Sequence, residues 1–117
     1  MSDIERKHTN ARMSKIVQYG GLVFLCGQTS SGSSAADIDA QTREALSRVD
    51  ALLAEAGSDR SRLLSVTVHL KSMADFAKMN VCWEGWLAGV AAPARTTVQA
   101  ALATEDLLVE FTVTAAS

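Results

Sequence analysis

The sequence predicts one α+β domain over residues 1–117, in which two helices cover one face of a mainly antiparallel sheet. The chain has 117 residues, which suits a single domain, and 48% of them are apolar, which is enough to build a core. The spacing of the apolar residues changes along the chain between the strand period and the helix period. The resulting order is β-β-α-β-α-β-β, and residues 4–9 are a candidate for one further strand before it.

The first two strands of this order form a predicted hairpin. Residues 22–27 are a short apolar run, LVFLCG, with glycines on both sides. A run of this length is typical of a strand that is covered on both faces. Residues 15–19 come just before it, and the intervening pair Gly20 and Gly21 is typical of a tight turn.

A long helix is predicted next. Its apolar stripe, with spacings of three and four residues, consists of Ile38, Ala45, Leu46, Val49, Leu52, Leu53 and Ala56. Ser34 and Asp37 have the spacing of a capping box at its start, and Gly57 stands where the helix is expected to end. Glu44 and Arg48 are four residues apart and are expected to pair on the solvent face.

A strand with one apolar side follows at residues 63–70. Leu64, Val66, Val68 and Leu70 are expected on one face, and Ser65, Thr67 and His69 on the other. A second helix is then predicted from a capping box at Ser72 and Asp75 to an end near Gly89. Its shared face consists of Phe76, Met79, Asn80, Trp83 and Leu87.

Two strands close the predicted sheet, after the single proline, Pro93, has favoured an extended chain. The first of them is predicted to alternate. One face consists of Ala94, Thr96, Val98, Ala100 and Leu102, and the other consists of Arg95, Thr97 and Gln99. In the second, after a turn at residues 103–106, Leu107, Val109, Phe111 and Val113 form the apolar face.

The polar face of the sheet is expected to carry Thr67, His69, Arg95, Thr97, Gln99, Glu110 and Thr112. Its β-branched residues suggest partial burial, so either water or another copy of the chain covers it. Arg95 and Glu110 would then lie on neighbouring strands, within one or two residue pairs of each other, and would share a polar cleft.

Arg95 admits two interpretations. In one, it is a strand-edge arginine that pairs with Glu110 across a hairpin, an interaction of about 0.2–1 kcal/mol when exposed. In the other, its planar guanidinium binds a ligand carboxylate through two charge-assisted hydrogen bonds. Glu110 would then act as an acid, as a base or as a group that positions water.

Composition and motifs exclude several other classes of function. The net charge of −2 and the absence of a basic cluster argue against a nucleic-acid partner. No apolar run approaches the roughly 18 residues of a membrane helix, and the polar N-terminal segment does not resemble a secretion signal. His8 and His69 have no second ligand at metal spacing, so no metal is expected.

The remaining reactive or aromatic side chains are expected to be structural. Cys26 and Cys82 form no CxxC motif, which favours two reduced, inert thiols in a cytoplasmic protein. His69 is expected to be a satisfied surface or interface group. Trp83 and Trp86 are expected to pack in the core or in an interface rather than to form a stacking surface.

Taken in order, these segments resemble the Rid (YjgF, reactive intermediate deaminase) family over almost the whole chain. The segments that carry the resemblance are GGLVFLCGQ (20–28), DIDAQTREAL through LLAEAGS (37–58), SVTVHLKSMADFAKMN (65–80), PARTTV (93–98) and LVEFTVTAA (108–116). No single segment is specific, but the combination at this spacing is.

The resemblance implies a chorismate-mutase-like fold and a homotrimer with a cleft at each subunit interface. It also implies hydrolysis of 2-imino acids or enamines to 2-oxo acids and ammonia, without a cofactor. By the same resemblance, Arg95 binds the substrate carboxylate and Glu110 places or activates water. Thr97, Cys26 and Asn80 would join Arg95 in binding the substrate.

Three positions depart from the family pattern. Met13 stands where the archetypal deaminases have a tyrosine, Cys26 replaces the serine of an SGQ motif, and Thr97 replaces a cysteine. These changes keep the arginine but alter the pocket. The alternative to an imine deaminase is therefore a non-catalytic member that binds a small carboxylate or acts as an interaction or holdase protein. Some relatives are named endoribonucleases, an activity that the acidic charge balance argues against here.

Overall fold

The chain forms a six-stranded sheet with two helices on one face, as the sequence predicts. A computed structural model describes residues 3–117. The elements are β1 (Glu5–Lys7), β2 (Ile16–Tyr19), β3 (Leu22–Leu25), α1 (Ile38–Glu55), β4 (Leu63–Leu70), α2 (Phe76–Trp86), β5 (Ala94–Gln99) and β6 (Val109–Ala116). The strands lie in the order β1-β2-β3-β6-β4-β5. Neither described helix has the length and apolar character needed to cross a membrane.

The hairpin of β2 and β3 is confirmed, with Ile16 opposite Leu25. Its turn uses Gly20 and Gly21, whose φ angles of 58° and 80° are costly for other residues. The prediction that β3 is covered on both faces is wrong for the single chain. Leu22 and Phe24 are 37% and 42% exposed, because both helices pack on the opposite face of the sheet.

The predicted stripe of α1 is confirmed, since all seven of its apolar residues are buried in the core. The start of the helix differs from the prediction. Asp37 caps it by accepting a 2.8 Å hydrogen bond from the backbone N–H of Ala40, and Ser34 lies outside the cap. Glu44 and Arg48 form the expected pair at 2.9 Å. Gly57, with φ of 78°, follows the end of the helix.

Gln41 is a buried polar residue of α1 that the apolar pattern did not single out. Its side-chain amide donates a 2.8 Å hydrogen bond to the carbonyl of Asp106, and its side-chain oxygen accepts a 2.8 Å bond from the N–H of Leu108. Both bonds join α1 to the segment that leads into β6. Gln41 therefore fixes where β6 enters the sheet.

A bulge in β4 exposes one residue that was expected in the core. Leu63 pairs with Ala115 and Ser65 pairs with Thr114, so one extra residue, Leu64, stands in β4 between the two pairs. Leu64 is 45% exposed, whereas Leu63 is buried in its place. The regular alternation holds from Val66 onward.

We expect Leu70→Ala to lower the free energy of unfolding by about 2–5 kcal/mol, because its fully buried side chain would leave a cavity. Leu64→Ala is the matched control on the same strand, and we expect it to cost about 0.5 kcal/mol or less. Urea denaturation at a fixed protein concentration measures both values. Equal losses would mean that β4 has no bulge and alternates regularly from its first residue.

The start of α2 also differs from the predicted capping box. Ser72 caps a short 3-10 turn, Met73–Asp75, by accepting a hydrogen bond from the N–H of Ala74. Asp75 makes no side-chain cap, and the helix proper begins at Phe76. On the inner face of α2, Trp83 is buried and stacks on Phe111 of β6 at 6.0 Å between ring centroids.

The last two strands are not neighbours. The segment 103–106 was expected to turn between two adjacent strands, but β4 lies between β5 and β6. The chain crosses from β4 through α2 to β5, which pairs with β4 in parallel. Such a crossover needs a connection of a dozen or more residues, and α2 provides it. β5 is therefore an edge strand, and it ends at Gln99 rather than at residue 102.

Candidate active site

Arg95 lies on the helix-covered face of the sheet. It pairs with Val66 of β4, and Val66 pairs with Val113 of β6; both valines belong to the core. Paired residues of neighbouring strands share a face, so Arg95 shares the face of these valines. Thr97 and Gln99 share it too, through their pairing with Val68 and Leu70. The prediction that placed Arg95, Thr97 and Gln99 on the open face is wrong.

Glu110 lies on the opposite, open face. It pairs with His69 of β4, which in turn pairs with Val98 of β5. Arg95 pairs with Val66 of β4, and Glu110 pairs with a residue three positions further along that strand. The two candidate catalytic residues are thus separated by the sheet itself, and the expected cleft between them within one chain does not form.

The Arg95 guanidinium is held by three side chains of α2. Its Nη1 donates a 2.8 Å hydrogen bond to Oδ1 of Asn80. Its Cζ lies 5.7 Å from the ring centroid of Phe76 and 5.4 Å from that of Trp83, distances typical of cation–π contacts. We call Phe76, Asn80 and Trp83 the Arg95 cradle. The residues described give Arg95 no carboxylate partner.

Of the other predicted site residues, Asn80 and Thr97 lie on the same side of the sheet as Arg95. Asn80 contacts it directly. The hydroxyl of Thr97 is buried and has no hydrogen-bond partner among the described residues. On the other face, Nδ1 of His69 is also buried without a partner in the described part of the chain. His69 was expected to be a satisfied surface or interface group, and no partner for Nδ1 lies among residues 3–117.

The Glu110 side chain lies against the backbone of Gly27. A Cβ added at Gly27 would overlap the carboxylate of Glu110, so a larger residue would have to displace that carboxylate. Gln28 holds this segment in place, because its backbone exchanges two hydrogen bonds with Phe111, of 2.8 and 3.0 Å. The Gln28 amide also donates to the carbonyl and the Sγ of Cys26. We call Cys26, Gly27, Gln28 and Glu110 the Glu110 group.

Burial raises the pKa of the Cys26 thiol above its ordinary value, and the nearby Glu110 carboxylate adds to the rise. The Lys15 ammonium and the Gln28 amide lower this pKa, but they do not outweigh burial. The thiol is therefore neutral at physiological pH, as expected from its apolar run.

We expect alkylation of Cys26 by iodoacetamide, followed in a Cys82→Ser background, to be slow at neutral pH and to accelerate only in the alkaline range. Because folding favours the protonated thiol, its contribution to stability is complete below the ordinary thiol pKa and is lost as the pH rises through the folded pKa. Glu110→Gln should lower the midpoint of the rate profile, and Lys15→Ala should raise it. A midpoint below that of the urea-unfolded protein would contradict this assignment.

The predicted site residues thus fall into two sets, one on each face of the sheet: the Arg95 cradle with Thr97, and the Glu110 group. Met13 is exposed in the loop between β1 and β2, where its N–H donates to the side chain of Asn10. Phe76, Gly27 and Gln28 were not predicted as site residues. Phe76 could have been identified from its spacing to Asn80 and Trp83. Among residues 3–117, no cluster of three or more His, Cys, Asp or Glu side chains could hold a metal ion.

Comparison with known proteins gives consistent matches over nearly the whole chain. Residues 4–117 match the family model described as Endoribonuclease L-PSP. A RutC family protein of Haemophilus ducreyi is 38% identical over 113 residues, covering 97% of this chain and 96% of the relative. The structure of NMB1025 from Neisseria meningitidis, a member of the YjgF protein family, is 37% identical with a TM-score of 0.91, covering 98% and 95% of the two chains. The E. coli YjgF gene product is 27% identical with a TM-score of 0.85, covering 92% and 90%.

Proposed function

The chain belongs to the family of YjgF and Endoribonuclease L-PSP proteins, and on that premise we propose that it hydrolyses reactive 2-imino acids and enamines to 2-oxo acids and ammonia. The reaction takes place in clefts between the subunits of a homotrimer. The single observation that carries the proposal is the Arg95 guanidinium, which is held in place and yet has no carboxylate partner among the described residues.

The geometry of Arg95 suits a carboxylate ligand. A guanidinium binds a carboxylate through two parallel hydrogen bonds, and a fixed guanidinium loses little freedom on binding. Among residues 3–117, Nη1 is the one guanidinium nitrogen with a hydrogen-bond partner, so Nε and Nη2 remain available for such a pair. A bound 2-imino acid would be held by its carboxylate with the adjacent imine carbon in a defined position.

The separation of Arg95 and Glu110 supports a site built by two subunits. Because one chain places them on opposite faces of its sheet, a substrate can meet both only if each comes from a different protomer. The open face also carries the exposed apolar side chains of Leu22, Phe24 and Val98. Exposed apolar residues on one face are typical of a surface that another protein chain covers, and here we propose two further copies of this chain.

The chemistry that follows is a hydrolysis assisted by one base. Arg95 fixes the substrate carboxylate. Glu110 of the adjacent protomer takes a proton from a water molecule, and the oxygen of that water bonds to the imine carbon. Glu110 passes this proton to the imine nitrogen, which gives a carbinolamine. The hydroxyl proton of the carbinolamine then moves to the nitrogen, the C–N bond breaks with loss of ammonia, and the hydroxyl oxygen becomes the carbonyl. One water is consumed for each ammonia released. The imine carbon is already electrophilic, so no cofactor is required.

This proposal is tested by an assay that generates 2-imino acids in the reaction mixture. The assay times both the decay of the imino acids and the release of ammonia. We expect the protein to accelerate both, and we expect light scattering to give the mass of a trimer at micromolar concentration. A monomer would contradict the proposed cleft. Imine decay no faster than in buffer would contradict catalysis.

The alternative of a non-catalytic carboxylate-binding protein is favoured by one observation. The Cys26 thiol, neutral because of its raised pKa, replaces a serine hydroxyl beside Glu110, and a thiol is the weaker hydrogen-bond donor. Titration with 2-oxobutanoate alongside the decay assay separates the two functions. Binding without accelerated decay supports the alternative, and catalysed decay excludes it.

A further inference from the structure

Two aromatic rings of α2 flank the guanidinium of Arg95. Phe76, Asn80 and Trp83 have the spacing i, i+4, i+7, which places them in one stripe along the helix. Phe76 and Trp83 are seven residues apart, or about 10.5 Å along a helix axis. The Arg95 Cζ lies within 6 Å of both ring centroids, so the guanidinium sits between the rings.

The two rings differ in how firmly they are held. Trp83 is buried and stacks on Phe111 with an angle of 5° between the ring planes. Phe76 is 36% exposed and lies at the first residue of α2, so its ring is less enclosed than that of Trp83. Phe111 directly follows Glu110 in β6. The buried ring stack thereby joins the Arg95 cradle to the strand that carries the second candidate catalytic residue.

An arginine side chain on an edge strand would otherwise be mobile, since it has many rotamers and a charge that prefers water. The aromatic ring faces attract its charge, and Asn80 takes one N–H of Nη1. The edge of the guanidinium formed by Nε and Nη2 has no hydrogen-bond partner among residues 3–117. This edge matches one planar carboxylate.

We propose that Phe76 and Trp83 are positioning residues, which hold the Arg95 guanidinium between their rings so that one edge of it binds the substrate carboxylate. This inference rests on the proposed function, in which that carboxylate belongs to a 2-imino or 2-oxo acid. It assigns the carboxylate affinity of the site partly to two side chains that carry no charge.

Fluorination of Phe76 tests the inference, because it weakens the attraction between ring and cation with little change in shape. We expect the Kd for 2-oxobutanoate to rise stepwise through mono-, di- and trifluorophenylalanine at position 76. Phe76→Leu should raise it roughly tenfold, equivalent to about 1.4 kcal/mol, with little change in Tm. In the decay assay KM should rise more than kcat falls. Phe76→Tyr keeps an aromatic ring, so its Kd should stay close to that of the wild type.

Trp86→Phe is the matched control. The ring centroid of Trp86 lies 5.2 Å from the Cζ of a different arginine, Arg60, and 5.5 Å from that of Trp83. Because the substitution keeps an aromatic ring against Trp83, it should leave the Kd unchanged. A readout independent of the ligand is the rotation rate of the Arg95 guanidinium, measured by ¹⁵N NMR, which should increase in Phe76→Leu. An unchanged Kd and rotation rate throughout the fluorinated series and Phe76→Leu would overturn the inference. The wild-type protein could also bind no 2-oxobutanoate and yet show slow rotation of the Arg95 guanidinium that Phe76→Leu accelerates. That result would support the Arg95 cradle and overturn the proposed substrate.

Discussion

Arg95→Ala and Arg95→Lys should both fold as the wild type does and lose almost all 2-oxo acid binding and imine turnover. Removing one partner of a partly buried, hydrogen-bonded charge pair costs about 2–5 kcal/mol, which is a loss of roughly thirtyfold or more in affinity. Lysine does not rescue the site, because an ammonium group is not planar and cannot form the paired hydrogen bonds to a carboxylate. It also cannot occupy the space between Phe76 and Trp83 as a flat group.

The measurements are the 2-oxobutanoate Kd, the imine decay rate and the oligomeric state. Arg60→Ala is the matched control, since Arg60 contacts an aromatic ring of the same helix but pairs with Asp50. Glu110→Gln should fold and bind 2-oxobutanoate while turning over imines more slowly. Near wild-type turnover in folded Arg95→Ala would show that Arg95 has only a structural role.

Mixed trimers of Arg95→Ala and Glu110→Gln chains should be clearly more active than trimers of either variant alone. If each site takes Arg95 from one protomer and Glu110 from the next, every mixed trimer contains one site in which both residues are intact. Random assembly of equal amounts of the two chains makes about three quarters of the trimers mixed. Since about one in three sites of a mixed closed ring is intact, activity should return to about a quarter of the wild-type value.

Co-refolding of the two variants, followed by the decay assay, measures this recovery. The control is a mixture of Arg95→Ala with a chain that carries both substitutions, which has no intact site in any combination. No recovery in trimers shown by mass to be mixed would contradict a site shared between protomers. It would require both residues to act from one chain, which their positions on opposite sheet faces argue against.

The order of helices and strands was predictable because each element has a clear apolar period. The stripe of α1 and the core face of β4 from Val66 onward follow directly from that spacing. Leu64 did not follow it, because a bulge is an extra residue in the pairing of two strands, and the spacing within one strand does not reveal it. The prediction that successive residues of β5 face opposite sides of the sheet was likewise correct.

The face of each residue of β5 was not predictable in the same way. Alternation divides a strand into two sets but does not say which set meets the helices, and polarity suggested the wrong one for Arg95. The core side of β5 is polar because α2 offers Asn80 and two rings to receive a cation there. The pairing of β5 with β4 rather than with β6 is a long-range property, set by the crossover through α2.

The central position of β6 has a consequence for how the protein is made. β6 is the last described strand in the sequence, yet it joins the β1–β3 half of the sheet to the β4–β5 half. During synthesis, both halves emerge from the ribosome before the strand that connects them. Contacts such as Leu22 with Ala116 span most of the chain, and contacts of this kind slow folding. Until β6 is complete, the facing edges of β3 and β4 stay unpaired, and in this interval a nascent chain is most dependent on chaperones.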